Sequence, residues 1–321
     1  MEKKVGVVGA GTMGASIAEL LAINGIDVIL KEVNDDLLKK GMERIRKIME
    51  SNVSYHSKRA KREIERIESL GITLSQEQKA VLKNNMKPLF DESALENAIS
   101  KIHGTTSYSD FGDCTFVIEA SFENADLKKE IFSSVSKYVS DNTVMSSNTS
   151  SISITSLSKS FRNPENTIVT HFFNPPYTLP LVEIVPSLFT SEKTLVRSMD
   201  FISSLKNHRS PMRPIKVKEV PGFLVNRMLV PLMNEAAIML DEGVASAEDI
   251  DLSMKIGAGF PMGPLELADM VGNDIVLDVQ EVLHKEYGDD KYRASLLLKR
   301  MVDAGRLGRK SGSGFYSYEK S

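Results

Sequence analysis

Gly9-Ala10-Gly11-Thr12-Met13-Gly14 spaces three glycines as G-x-G-x-x-G close to the start of the chain. The chemistry this spacing permits is the binding of a dinucleotide pyrophosphate. The first glycine allows a tight turn, the second lets backbone approach a phosphate, and the third lets a helix pack closely on a strand. Free N–H groups and a partial positive charge at the helix start then face the anion. Alone such a loop is weak evidence. Here a β-type run over residues 4–8 precedes it, a helical stretch follows, and Glu32 stands at the end of the next β-type run. A carboxylate there can accept both ribose hydroxyls and repels a 2′-phosphate, which favours NAD over NADP. Lys31 beside it pulls the other way, because a cation can pair with that phosphate. A glycine turn in a fold that binds nothing is the weaker reading of the whole arrangement.

A second constellation lies between Thr170 and Val185. His171 ends one β-type run, Glu183 sits within the next, and prolines between them make a turn. If the two runs pair antiparallel around Tyr177, both positions lie six residues from it and fall opposite each other. A carboxylate beside an imidazole holds one ring nitrogen as N–H and raises the basicity of the other. Oxidising an alcohol needs such a base for the hydroxyl proton, while nicotinamide takes the hydride. His56 and His103 lie in or next to a charged helical stretch, and His208 and His284 in polar surroundings. None shares the strand-end setting. Spacing alone leaves His171 equally open to being a satisfied core histidine.

These residues need a scaffold. Strand, glycine turn, helix (16–23, stopping at Asn24-Gly25) and strand (26–30) make one βαβ unit. Residues 35–100 are rich in Lys, Arg and Glu, with apolar positions at helical spacing such as Ile45, Ile48 and Met49, then Ile64, Ile67 and Leu70. They read as two or more exposed helices projecting from the sheet domain. Strand-like runs return at 114–118, 143–145, 167–170 and 181–185. The Ser-rich piece 146–160 follows a strand, which suits either a loop or an active-site edge. Beyond the prolines at 211–221 the chain is helical: 222–240 is a long apolar helix interrupted at Pro231, and Ser246 with Asp249 resembles a capping box. The expected fold is α/β. A Rossmann-type doubly wound sheet with a helical insert occupies 1–215, and an all-α domain occupies 216–321, with apolar faces that suit a homodimer.

Composition narrows the class. With 321 residues, a hydrophobic fraction of 41% and a charged fraction of 26%, this is an ordinary globular chain of two or three domains. Forty Lys and Arg against forty-three Asp and Glu leave a net charge of −3, so nucleic acid is not an expected partner. The single cysteine, Cys114, excludes an internal disulfide, and His and Cys are too sparse for a structural zinc site. No metal is expected. The start of the chain is no secretory signal and no apolar run is long enough to span a bilayer, so the expectation is a soluble, cytoplasmic protein without a membrane partner.

Several segments are then recognisable together: GAGTMG at 9–14, SNTSS at 147–151, HFFNP at 171–175, LVEIV at 181–185, PGFLVNR at 221–227, GAGFPMGP at 257–264 and GFYSY at 314–318. In combination they resemble the L-3-hydroxyacyl-CoA dehydrogenase family nearly end to end. The resemblance implies oxidation of (S)-3-hydroxyacyl-CoA by NAD to 3-oxoacyl-CoA, or the reverse. It implies His171 as the base and Glu183 as its partner. Ser150 would hydrogen-bond the substrate oxygen at C3, and Asn226 would orient substrate from the helical domain. Asn148 would contact the nicotinamide side, and Glu123, Lys128 and Lys310 match cofactor-contacting positions. The active site would lie between the domains. Plainer readings stand beside these: Ser150 as a helix N-cap, Asn226 as a buried amide, Glu123 and Lys128 as a solvated pair. Two features depart from the family. Glu32 stands where Asp is usual, and the insert is longer. Lys58, Arg59, Lys61 and Arg62 could meet CoA phosphates, or form a solvated face with Glu63, Glu65 and Glu68, and no CoA contact is assigned there. The stretch from Asn174 to Pro186 also resembles lambda-crystallin, whose relatives oxidise L-gulonate. A third alternative is an NAD-binding protein without turnover. SNTSS favours the acyl-CoA reading, and the intact His171–Glu183 pair argues against the inert one.

Overall fold

A computed structural model describes residues 2–318. Its inner strands are short, largely apolar runs buried on both faces, as strands of a parallel sheet covered by helices must be. Among the described residues the strands are β1 (Lys4–Val8), β2 (Asp27–Lys31), β3 (Ile102–Thr105), β4 (Phe116–Glu119), β5 (Val144–Ser147), β6 (Thr167–Phe172), β7 (Leu181–Pro186) and β8 (Arg213–Lys216). They form one sheet in the order β3-β2-β1-β4-β5-β6-β7-β8. Every neighbouring pair is parallel except β6 and β7. The first six strands follow the doubly wound order, with its reversal between β1 and β4. That reversal opens a crevice at the carboxyl ends of the strands. The expected Rossmann-type sheet is therefore present.

Two strands, β3 and β8, have no counterpart in the sequence reading. Both are edge strands, and their sequences, IHGT and RPIK, carry Gly, Pro and charge instead of an apolar run. Edge strands tolerate such residues because one side of the ladder is unpaired.

The helices of this unit are α1 (Thr12–Ile23), α2 (Asp35–Ser57), α3 (Arg59–Glu68), α4 (Gln76–Asn85), α5 (Glu92–Ser100), α6 (Ala125–Ser136), α7 (Ile154–Ser158) and α8 (Glu192–Ser203). Helix α1 begins at Thr12, four residues before the expected 16, because the glycine loop feeds straight into it. Gly14 is what permits this: a Cβ there would lie 1.8 Å from the Gly9 carbonyl oxygen. The insert is α2 to α5, and it is not simply a set of projecting helices. Ile45 and Met49 of α2 and Leu95 and Ala98 of α5 share one apolar core with Leu20 and Leu21 of α1. Only α3 and α4 fit the expectation, α4 burying no residue at all. Helix α3 docks only Ala60 and Ile64.

One compact unit ends at Glu219 and a second begins at Val220. The second is helical: α9 (Val225–Asp241), α10 (Ala247–Leu252), α11 (Pro264–Val271), α12 (Asn273–Tyr287) and α13 (Leu296–Asp303). Pro231 lies within α9. Val230, Met233, Val276, Leu283 and Leu298 form much of its core. Ser246 caps α10, accepting the Asp249 N–H at 3.1 Å, but the Asp249 carboxylate takes the Ser246 hydroxyl at 2.8 Å. Asp is a methylene shorter than the Glu of a capping box. A complete box does close α4, between Ser75 and Gln78. Two sequence motifs turn out to be scaffolding. Buried Asp251 accepts the N–H groups of Leu265 and Glu266 at the start of α11, beside its partial positive charge. Buried Asp269 accepts the N–H groups of Phe315 and Tyr316 and the Tyr318 hydroxyl, fastening the last motif to α11.

Candidate active site

The glycine loop leaves β1, and the Gly9 N–H donates to the Lys31 carbonyl at 2.8 Å, locking the turn to the end of β2. Gly9 has φ 100°, a conformation other residues rarely adopt. A cavity of about 600 Å³ opens in front of the loop. Its wall includes Gly9, Ala10, Gly11, Thr12 and Met13 at one side, Glu32 at the end of β2, and Glu123, Lys128, Asn148 and Ser150. Glu32 reaches back to the loop, its Oε2 lying 3.5 Å from the Ala10 N–H donor nitrogen. A Cβ on Gly11 would meet nothing within 4 Å, so backbone is bare where a phosphate must approach. These features fit NAD: a bare cradle, a helix start and a carboxylate at the end of the neighbouring strand, lining the same cavity. Lys31 is not a free cation beside Glu32. Its ammonium lies 4.3 Å from the centre of the Tyr108 ring. Burial lowers its pKa, against the pull of Glu32 and Glu130.

The antiparallel pairing of β6 and β7 sets His171 directly opposite Glu183. Nδ1 of His171 lies 2.7 Å from Oε2 of Glu183, with the carboxylate fully buried. The ring also meets the edge of Phe173, centres 4.7 Å apart. Asn148 links this pair to the cavity. Its side-chain Oδ1 accepts the Phe172 N–H at 2.8 Å, and its own N–H donates to the Glu119 carbonyl at 2.7 Å. The cavity wall is thus fastened to the strand that carries His171.

Glu123 and Lys128 are not a solvated pair. Lys128 is 1% exposed and lies 2.7 Å from Glu119 and 3.3 Å from Glu123. Burial alone would raise the Glu123 pKa. The Lys128 charge and hydrogen bonds from Thr149, Ser151 and the Ser150 backbone outweigh it and hold the carboxyl below its ordinary value. Ser150 does not cap α7, because that position belongs to Ser153. In the helical unit Asn226 lies half-buried in the first turn of α9. Lys310 pairs with Asp274 at 2.5 Å. The sequence reading missed Glu119, Tyr108 and Arg44, whose Nη1 donates to the Ala10 carbonyl at 2.8 Å. Only Glu119 left a signal, an acid closing an otherwise apolar strand, FVIE.

A glycine-loop βαβ unit with an acid at the second strand, and an imidazole–carboxylate pair at the carboxyl end of a later strand, define a dinucleotide-dependent dehydrogenase. Comparison with known proteins narrows this. Residues 4–86 and 58–220 match "3-hydroxyacyl-CoA dehydrogenase, NAD binding domain", and residues 222–318 match "3-hydroxyacyl-CoA dehydrogenase, C-terminal domain". A probable 3-hydroxybutyryl-CoA dehydrogenase of Deinococcus radiodurans is 39% identical over 98% of this chain and 100% of its own length. The mitochondrial hydroxyacyl-coenzyme A dehydrogenase of Sus scrofa is 35% identical, over 99% of this chain and 91% of its own. The crystal structure of (S)-3-hydroxybutyryl-CoA dehydrogenase from Ralstonia eutropha superposes with a TM-score of 0.82 at 38% identity, covering 100% of both chains. The chain belongs to the 3-hydroxyacyl-CoA dehydrogenase family and is an NAD-dependent oxidoreductase.

Proposed function

We propose that this enzyme oxidises (S)-3-hydroxyacyl-CoA to 3-oxoacyl-CoA with NAD, or runs the reverse on a short substrate such as acetoacetyl-CoA. The observation that carries this is the 2.7 Å contact of His171 Nδ1 with Glu183, placed at the strand end next to the cavity wall. Bound NAD supplies a hydride acceptor for C3. Glu183 holds Nδ1 of His171 as a donor, which presents Nε2 as the base for the C3 hydroxyl proton. In reduction the same nitrogen returns the proton to the oxygen at C3. Ser150 hydrogen-bonds that oxygen, and Asn226 orients the thioester chain from the helical unit, on the strength of the PGFLVNR resemblance. Gly9 to Gly14, Glu32, Glu123, Lys128 and Asn148 hold NAD, and Lys310 is placed with them on the resemblance alone.

The protein acts as a cytoplasmic homodimer in this reading. Support for the compartment is its one cysteine, buried and reduced, and among the described residues no helix is long and apolar enough to cross a membrane. Support for the dimer is the helical unit's exposed apolar side chains, Met228, Val244 and Ile256 among them.

The test mixes enzyme with acetoacetyl-CoA and NADH and follows loss of NADH absorbance, with L-gulonate plus NAD⁺ as a second arm. Turnover in the first arm is expected. Turnover in the second arm alone would move the substrate to a sugar acid. None in either would leave a binding protein.

A further inference from the structure

Glu119 is fully buried at the carboxyl end of β4, and the reaction described above does not use it. Its Oε1 receives the Ser121 N–H and hydroxyl, each at 2.6 Å, and the Lys128 ammonium at 2.7 Å. Its Oε2 receives the same ammonium at 2.9 Å and the Ser147 hydroxyl at 2.5 Å. From there two routes reach one loop. Along the first, Lys128 lies 3.3 Å from Oε2 of Glu123. The other oxygen of Glu123 accepts the Thr149 hydroxyl at 2.5 Å, the Ser150 and Ser151 N–H groups at 3.0 and 3.1 Å, and the Ser151 hydroxyl at 2.9 Å. Along the second, the Ser147 hydroxyl accepts the Thr149 N–H at 3.1 Å.

We propose that Glu119 is the positioning residue for the Ser150 loop: it fixes Lys128, Lys128 fixes Glu123, and the loop is folded around a single oxygen of Glu123. Two physical points support this. A buried ammonium needs its counter-charge close and its donors satisfied. Glu119 supplies the nearer, fully buried carboxylate, whereas Glu123 is partly exposed. A loop held by one acceptor atom also inherits that atom's position, so an error at Glu119 is passed on to Ser150 without any substrate contact of its own. An ångström-scale misplacement of a substrate-holding group can cost about 10²-fold in rate. The consequence for turnover rests on the assignment of Ser150 to the C3 oxygen, and the clamp itself does not.

The experiment compares the full-length enzyme with Glu119→Gln and with the charge-balanced double variant Glu119→Gln/Lys128→Met. Amide hydrogen exchange at Ser150 and Ser151, melting temperature, and kcat and KM for acetoacetyl-CoA are all measured. In Glu119→Gln, exchange at Ser150 and Ser151 should accelerate about tenfold or more while Val117 and Met145, inside β4 and β5, stay protected. The kcat should fall by a similar factor. The double variant should regain melting temperature but neither loop protection nor kcat, because Glu123 still lacks its holder. Should Glu119→Gln fail to fold, Glu119→Asp, which keeps the charge but withdraws it by one methylene with Lys128 in place, carries the test by the same exchange and kcat readouts. Uniformly faster exchange across the sheet, or turnover recovered together with melting temperature, would overturn the proposal and leave Glu119 a fold-stabilising residue. A loosened loop with undiminished kcat and KM would keep the clamp and instead remove Ser150 from the substrate site.

Discussion

Among the described residues two buried imidazole–carboxylate pairs lie at nearly equal distances. His171 meets Glu183 at 2.7 Å, and His208 meets Glu19 at 2.6 Å, with both carboxylates fully buried. They differ in what surrounds them. The first joins β6 to β7 at the carboxyl end of the sheet, and Asn148 ties its strand to the cofactor cavity. The second joins α1 to the 206–211 turn, packed against Phe90 and His56, which link it to the insert and its core. A short contact between imidazole and carboxylate does not by itself mark catalysis; under the proposed function, placement at the crevice of a doubly wound sheet is what assigns His171 the role of base and leaves His208 a structural tie.

Removing each histidine tests that separation most severely. His171→Ala should lose about 10²–10⁴-fold in kcat, the range for a lost general base, while still binding NADH by fluorescence. His208→Ala should keep kcat within a few-fold and lower stability by about 1–3 kcal/mol, because the buried Glu19 carboxyl loses its partner. Chemical denaturation reads the second value. If both variants lost turnover equally, the comparison would collapse. The carboxylates sharpen it: Glu183→Gln should lower kcat by about tenfold or more through a misdirected imidazole. Glu19→Gln should show its effect in melting temperature alone.

The residues themselves foretold the His171–Glu183 pairing and the glycine loop better than they foretold what surrounds them. His171 opposite Glu183 followed from equal distances to Tyr177, since strand pairing has a period of two and prolines mark the turn. The glycine loop and Glu32 followed for a similar local reason. His208 and Glu19 did not, because α1 and the 206–211 turn are far apart in sequence and only packing unites them. Glu119 escaped although it is only nine residues from Lys128, and Glu123 with Lys128 kept a solvated-pair reading beside the cofactor one, because only the packing of β4 and α6 shows that the ammonium is enclosed. The edge strands β3 and β8 escaped because polar residues suffice where one ladder side is open.

The smallest expected effect lies beside the structural pair and separates it from the site by pH. Neither ring nitrogen of buried His56 has a hydrogen-bond partner, and His208 lies 5.5 Å away, centre to centre. Burial lowers the His56 pKa from the ordinary 6.5, and His208, Arg59 and Arg62 push it the same way. The unfolded chain therefore takes this proton more readily than the folded one. Well above pH 6.5 both forms are neutral at His56 and nothing is lost. As pH falls through 6.5 toward the lowered folded value, stability should decline. Glu19 works with the opposite sign: burial raises its pKa against the hydrogen bond and charge of His208, so its contribution is present at low pH and is lost as pH rises through the raised value. His56→Phe isolates the histidine while keeping a ring beside Tyr55 and His208. Melting temperatures between pH 7.5 and 5.5 should fall more toward acid in the parent than in the variant, the Glu19 contribution being common to both, with NADH binding at pH 7.5 unchanged. An identical slope in both proteins would place the acid sensitivity elsewhere and reduce His56 to a ring packed in the core.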